Sequence, residues 1–159
     1  MLRPDWIGQV QAIATDIQSA DHLFVIGRGL AYPTALEAAL KIKEVSYVHA
    51  EGFAGGELKH GVIALIAPNT PCVVYAPNDE TRADILSGAM ELKSRGGYII
   101  GIGTQCDPCF DAYLEVPDVG HAAPIVSALP AQMLGYQLAL LRGNDPDKPR
   151  NLAKSVTVK

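Results

Sequence analysis

The chain has 159 residues, of which 48% are hydrophobic and 19% are charged, a composition typical of one globular domain with its own core. The net charge of −4 and the absence of a basic patch argue against nucleic acid or an anionic membrane as a partner. We find neither an apolar run of about 20 residues that would cross a bilayer nor the apolar region of a signal peptide, so a cytoplasmic protein is expected.

Helical patterns alternate with short apolar runs along the chain. The predicted elements are a helix at 5–19, a strand at 22–27, a helix at 32–48, a strand at 71–77, a helix at 78–96, a strand at 97–103, a short strand at 112–117 and a helix at 123–143. This alternation predicts an α/β fold, a three-layer sandwich in which helices flank a mostly parallel sheet. One domain is expected at 1–147, followed by a tail at 148–159 without a clear period.

A glycine turn, GRGLAYP at 27–33, follows the first predicted strand. Anions bind at helix N-termini in such turns, which makes Gly27, Arg28 and Gly29 candidate substrate-binding residues. The spacing is not a full GxGxxG and no Walker lysine is present, so a nucleotide fingerprint is unsupported. A tight turn without a ligand explains the spacing equally well.

The next helix carries Glu37, Lys41 and Glu44 at spacings of four and three, which places them on one helix face. A solvated face with weak ion pairs is the simpler interpretation. Because the rest of the helix is largely apolar, a catalytic carboxylate and ammonium are the alternative.

The segment EGFAGGELKHG at 51–61 combines glycines with charged side chains and His60. Clustered glycines indicate backbone shapes that other residues resist, so the segment either turns a corner or holds charged groups against a ligand. A lone histidine is more often structural than catalytic, but it titrates near neutral pH and can move a proton.

The three cysteines include one CxxC, at 106–109. An odd number fits a reducing compartment better than a disulfide framework. One CxxC cannot complete a tetrahedral zinc site, so neither a metal nor another cofactor is expected.

Lys154, in the tail, is by its position alone a solvated lysine.

Three stretches together resemble one enzyme family. They are ALEAALKIKEVSYVHAEGFAGGELKHG at 35–61, VVYAPND at 73–79 and DPDKPRNLAKSVTVK at 145–159. They are similar to the glucosamine-6-phosphate synthases (glutamine–fructose-6-phosphate aminotransferases), specifically the C-terminal sugar-isomerase (SIS) domain of their isomerase region. The resemblance covers nearly the whole chain and implies a SIS domain with a flavodoxin-like topology.

The resemblance implies roles for individual residues. Glu44 falls on the proton-shuttling glutamate of the family, and Lys41 falls on a lysine of the same site. His60 falls on the histidine that opens the sugar ring, which reaches the site from a neighbouring subunit. Lys154 falls on the lysine that forms a Schiff base with the sugar carbonyl, and Ala153 on a neighbour that contacts the sugar.

The resemblance also implies partners. Fructose 6-phosphate and glucosamine 6-phosphate are the expected ligands, and a homodimer is the expected assembly. The N-terminal cysteine of the family's glutaminase domain and the Ser/Thr-rich phosphate loop of its other SIS domain do not occur in this sequence. We therefore expect a part of a longer enzyme, with little activity in isolation.

Three alternatives remain at this point. A related SIS enzyme could isomerise or deglycate another phosphosugar, such as fructoselysine phosphate. A SIS module could bind a phosphosugar without reacting it, although such a module would not need the set formed by the glutamate, the histidine and the two lysines. A stable α/β fragment without an independent role is the third.

Overall fold

A computed structural model describes residues 4–152. Five parallel strands form one sheet in the order β2-β1-β3-β4-β5 within that range. The elements are α1 (Pro4–Ile17), β1 (His22–Gly27), α2 (Ala31–Ser46), β2 (His49–Ala54), β3 (Pro71–Ala76), α3 (Arg82–Lys93), β4 (Tyr98–Gly103), β5 (Ala112–Glu115) and α4 (Ala123–Leu141), with 3-10 helices at Gly55–His60, Val62–Leu65 and Gly120–Ala122. The predicted three-layer α/β sandwich is confirmed.

Each face of the sheet has its own core, because side chains alternate between the faces along a strand. Val25 of β1 packs with α1, α2 and α4 in one buried cluster. Its neighbours Phe24 and Ile26 belong to the opposite cluster, together with Leu58 of the first 3-10 helix and Ile85 of α3. The sheet is thus buried on both sides, as its continuous apolar strands predict.

The predicted loop at 51–61 is wrong in its first part, since residues 49–54 form the edge strand β2 beside β1. The sequence HAEGFA hides this strand because an edge strand is only partly buried and its polar residues break the apolar run. The helix predicted at 78–96 begins later, at Arg82. There the Asp79 carboxylate accepts hydrogen bonds from the backbone N–H and the hydroxyl of Thr81, a local turn that delays the helix.

The expectation that the chain has no apolar run of bilayer length is also corrected. The helical stretch Gly120–Leu141 has 22 residues and a mean hydropathy of 1.2, enough by length and composition to cross a membrane. In this fold, however, Ala131, Leu134 and Leu138 are buried in the core that α4 shares with α1 and α2. One face of α4 is therefore buried against the domain, while Tyr136, Leu140 and Leu141 on the same helix are exposed.

Candidate functional site

The charged face of α2 is held together by one lysine. Lys41 Nζ lies 2.8 Å from Glu44 Oε2 and 3.8 Å from Glu37 Oε1. The hydrogen bond to the Glu44 carboxylate raises the pKa of Lys41 above its ordinary value, against a smaller opposing effect of burial. Lys41 therefore stays positively charged at neutral pH, where it holds the carboxylate of Glu44 rather than acting as a nucleophile.

The C-terminal end of α2 receives the segment that follows α4. Tyr47, the C-cap, has a left-handed backbone with φ of 60°. Its hydroxyl accepts a hydrogen bond of 2.8 Å from the backbone N–H of Arg150, and the guanidinium carbon of Arg150 lies 4.0 Å from the centre of the Tyr47 ring. The Asn144 side chain donates to the carbonyl of Ser46 at 3.2 Å. The two contacts between Arg150 and Tyr47, which we call the tail clasp, hold the segment against a residue that follows Glu44 by three positions in the chain.

The predicted Schiff-base lysine, Lys154, and its neighbour Ala153 lie outside the described residues. Sequence reasoning also missed both members of the tail clasp, Tyr47 and Arg150. Their only signal is the spacing of Arg150, four residues before Lys154.

His60 lies away from Glu44 within one chain. It is the last residue of the 3-10 helix Gly55–His60, which follows the carboxyl end of β2, and it is exposed. Glu44 precedes the amino end of the same strand. Six extended residues span about 20 Å, so these two side chains lie toward opposite ends of β2 within this chain.

The glycines around His60 permit close packing. A Cβ at Gly52 would lie 2.9 Å from the carbonyl oxygen of Ala35 in α2, and one at Gly55 would lie 2.6 Å from Cδ1 of Ile85 in α3. Gly61, with φ of 142°, supplies the turn after His60. The presentation of His60 to a neighbouring subunit stays a prediction.

A cavity of about 320 Å³ lies off the carboxyl ends of β3, β4 and β5, beside the N-terminal ends of α2 and α4. Of the three residues of the glycine turn that were predicted to bind substrate, Gly29 lines it and Gly27 and Arg28 do not. A Cβ at Gly27 would lie 2.2 Å from the carbonyl oxygen of Ala31, and Arg28 pairs with Asp84 at 3.2 Å. Substrate contact by these three residues stays a prediction.

Three buried hydroxyls that have no hydrogen-bond partner within the described part of the chain belong to residues lining this cavity: Thr34, Tyr75 and Thr104. Burial raises the pKa of the Tyr75 hydroxyl well above its ordinary value, so it remains a neutral donor. Sequence reasoning missed these residues because each stands in an apolar context that is explained by the core alone.

The CxxC has no partner group for a metal. Cys106 is exposed and Cys109 is buried, and burial raises the pKa of Cys109 to about 12. Among residues 4–152, no three His, Cys, Asp or Glu side chains are grouped to hold a metal ion.

Curated relatives share the sequence closely. The glutamine–fructose-6-phosphate aminotransferase (isomerizing) of Pyrococcus horikoshii is 49% identical over 153 residues, covering 94% of this chain and 26% of that protein. The enzyme of the same name from Escherichia coli K12 is 46% identical over 156 residues, again covering 94% of this chain and 26% of the relative. The chain thus spans about a quarter of the length of these relatives.

Solved structures share the fold. The C-terminal domain of glucosamine-fructose-6-phosphate aminotransferase from Francisella tularensis superposes with a TM-score of 0.83 at 38% identity, over 91% of this chain and 42% of that one. A glucosamine-6-phosphate deaminase from Thermotoga maritima gives 0.75 at 27% identity, over 96% of this chain and 46% of that one. The family model for the SIS domain matches residues 16–142, and the chain belongs to the SIS domain family.

Proposed function

We propose that this chain is the C-terminal SIS half of the isomerase region of a glutamine–fructose-6-phosphate aminotransferase. Identities of 46–49% to enzymes of that name over 94% of the chain support this assignment. The reaction of this half is the conversion of the imine of fructose 6-phosphate into glucosamine 6-phosphate.

The tail clasp is the observation that carries the proposal. It brings Arg150 onto Tyr47, next to the end of α2 that bears Glu44. Four residues separate Arg150 from Lys154, and four residues reach at most about 14 Å. In this proposal the chain runs from the clasp toward a sugar bound beside Glu44, where the Lys154 amine is the nucleophile.

The residue types suit the chemistry. The neutral amine of Lys154 attacks the C2 carbonyl of the open-chain sugar, water leaves, and ammonia then displaces the lysine from the imine. The carboxylate of Glu44 takes a proton from C1 and returns it to C2. The proton of the C1 hydroxyl passes to the imine nitrogen, so the ketose imine becomes the aldose amine with no net gain or loss of protons. Lys41, fixed 2.8 Å from Glu44, holds that carboxylate in position between the two carbons.

Ring opening is assigned to His60 of a second subunit. A histidine can both accept and donate a proton near pH 7. His60 is exposed beyond the carboxyl end of β2, the end of that strand away from Glu44. A homodimer in which each sugar lies between Glu44 of one subunit and His60 of the other satisfies this geometry.

The same proposal includes another SIS half that grips the sugar phosphate. Helices α2 and α4 pack on each other and leave large apolar side chains exposed: Leu36, Leu40, Tyr136, Leu140 and Leu141. Exposed apolar surface of this kind is typical of a face that another domain covers.

The three free thiols fit the cytoplasm as the site of action.

Mixing two inactive variants tests the shared site. In the full-length enzyme that contains this chain, Glu44→Gln and His60→Ala should each abolish glucosamine 6-phosphate formation. Equal amounts, unfolded and refolded together, should recover about a quarter of the wild-type rate, because half of the dimers are mixed and each mixed dimer has one intact site. No recovery from correctly refolded mixed dimers, or full activity of either variant alone, would refute the shared site.

A phosphosugar isomerase or deglycase of the fructoselysine-phosphate type is the alternative, and a phosphosugar-binding module without catalysis is another. The 27% identity to a glucosamine-6-phosphate deaminase shows that the fold serves related amino-sugar chemistry. An assay for glucosamine 6-phosphate formed from fructose 6-phosphate and ammonia distinguishes the proposed function from these two alternatives, because neither of them makes that product.

A further inference from the structure

The cavity beyond the carboxyl ends of the strands is not part of the site proposed around Glu44. It lies at the end of the sheet where Gly29, Tyr75 and Thr104 leave their strands, whereas Glu44 lies at the other end of α2. Its volume of about 320 Å³ is at the lower end of the range found for small-molecule sites, roughly 300–1,000 Å³.

The unpartnered hydroxyls point to an occupant. Thr34 is 3% exposed and Tyr75 is 1% exposed, and neither hydroxyl has a hydrogen-bond partner among residues 4–152. The hydroxyl of Thr104 shares this property. Buried polar groups are almost always paired, so three unpaired hydroxyls lining one cavity indicate a guest that both donates and accepts hydrogen bonds.

Two carboxylates of the chain occupy backbone N–H donors beside the cavity. Helices α2, α3 and α4 begin around it, and such N-termini would ordinarily bind a phosphate. At the start of α3 and of the 3-10 helix Gly120–Ala122, the chain's own carboxylates take that place: Asp79 accepts from the N–H of Thr81 at 2.8 Å, and Asp118 accepts from the N–H of Gly120 at 3.1 Å. The first turns of α2 and α4 have no side-chain cap. The Gly120 N–H and the Asn78 amide lower the pKa of Asp118, which is therefore ionised at neutral pH.

The charge of the wall is therefore negative. Asp79, Glu80 and Asp118 line the cavity, and no lysine or arginine occurs among the described residues that line it. Between a phosphate ester and an amine, this wall favours the amine.

We propose that this cavity is a second small-molecule site, which binds a non-phosphorylated, amine-bearing polyol of monosaccharide size. Thr34, Tyr75 and Thr104 hydrogen-bond its hydroxyl groups, and the carboxylates of Asp79 and Asp118 face its ammonium. The site goes beyond the proposed isomerase function, because it needs neither Glu44 nor a sugar phosphate.

Titration of the full chain with three matched sugars tests the site, by calorimetry or by ligand-observed NMR. Glucosamine should bind, glucose should bind more weakly, and glucose 6-phosphate should bind least. The double variant Thr34→Val, Thr104→Val should weaken glucosamine binding about tenfold through two lost hydrogen bonds. The control Thr15→Val, on the exposed face of α1, should leave it unchanged.

Two further variants separate the cavity from the isomerase site. Asp118→Asn should reduce the preference for glucosamine over glucose, and Glu44→Gln should leave binding of both unchanged. Tyr75→Phe replaces the threonine variants if these fail to fold, and it should weaken glucosamine binding severalfold. The proposal is overturned if none of the sugars binds, if glucose 6-phosphate binds best, if the cavity variants bind like wild type, or if Glu44→Gln abolishes binding.

Discussion

Gly27 provides the sharpest test of how the turn after β1 is built. A Cβ at this position would lie 2.2 Å from the carbonyl oxygen of Ala31 and 3.0 Å from the backbone nitrogen of Tyr32. Carbon atoms in contact prefer about 3.5 Å or more, so Gly27→Ala forces the first turn of α2 away from the sheet. Because the obstacle is backbone, no side-chain rotation relieves it.

The cost follows from the buried position of this residue. Overpacking of a core site costs about 1–3 kcal/mol, and more where backbone must move, so we expect the free energy of unfolding to fall by about 3 kcal/mol. For a domain of this size each kcal/mol shifts Tm by about 2–4 °C, which gives a fall of about 6–12 °C. Urea denaturation and a thermal melt both measure it.

A matched control lies in α1. Gly8 is exposed in the middle of that helix, and a Cβ there would meet nothing within 4 Å. Gly8→Ala should therefore raise stability by about 0.5–1 kcal/mol, the usual gain in a helix interior. If Gly27→Ala melts within a degree of the wild type while Gly8→Ala behaves as expected, the close approach of α2 is not the reason for this glycine, and a role in ligand contact becomes the better account.

Three other outcomes follow from the contacts of the charged face, the tail clasp and the thiols. Because the pKa of Lys41 is raised above 10.5, its ion pair stabilises the fold at neutral pH and ceases to do so as pH rises through the raised pKa. Lys41→Met should therefore lower the free energy of unfolding, measured by urea denaturation, only below that pH, and by less than about 1 kcal/mol because the site is half-buried and screened by solvent. Tyr47→Leu removes the tail clasp, so limited proteolysis should cut the tail faster at unchanged Tm; an unchanged cutting rate would contradict the clasp. A thiol reagent at neutral pH should label Cys106 and spare the two buried cysteines until the chain unfolds, whereas rapid labelling of all three would show that burial does not protect them.

The sequence predicted best what depends on continuous burial. The strand at 22–27 matches β1 residue for residue, because every side chain after His22 is buried and no polar residue interrupts the run. The charged face of α2 could also be predicted from the sequence, because the helical period places residues 37, 41 and 44 on one face whatever surrounds the helix.

Features that depend on contacts between residues distant in the chain could not be predicted from the sequence. The edge strand β2 carries Glu51 and Gly52, and only its pairing with β1 makes it a strand. The tail clasp joins residues more than one hundred positions apart, and no local pattern announces such a contact. The unpartnered hydroxyl of Tyr75 sits inside an apolar strand, where the sequence indicates nothing but core.

The placement of α2 separates the cavity from the charged face of the same helix. Its first turn lies at the carboxyl end of the sheet, where α/β proteins usually bind ligands, and it carries the cavity residue Thr34 there. Its last turns lie at the opposite end of the strands, the amino end, and carry Glu44 beside the tail clasp. His60, fixed to the carboxyl end of β2, remains about one strand length away from Glu44, roughly 20 Å. A rigid sheet keeps the two ends of β2 apart, which is why the proposed site pairs Glu44 with the histidine of another subunit.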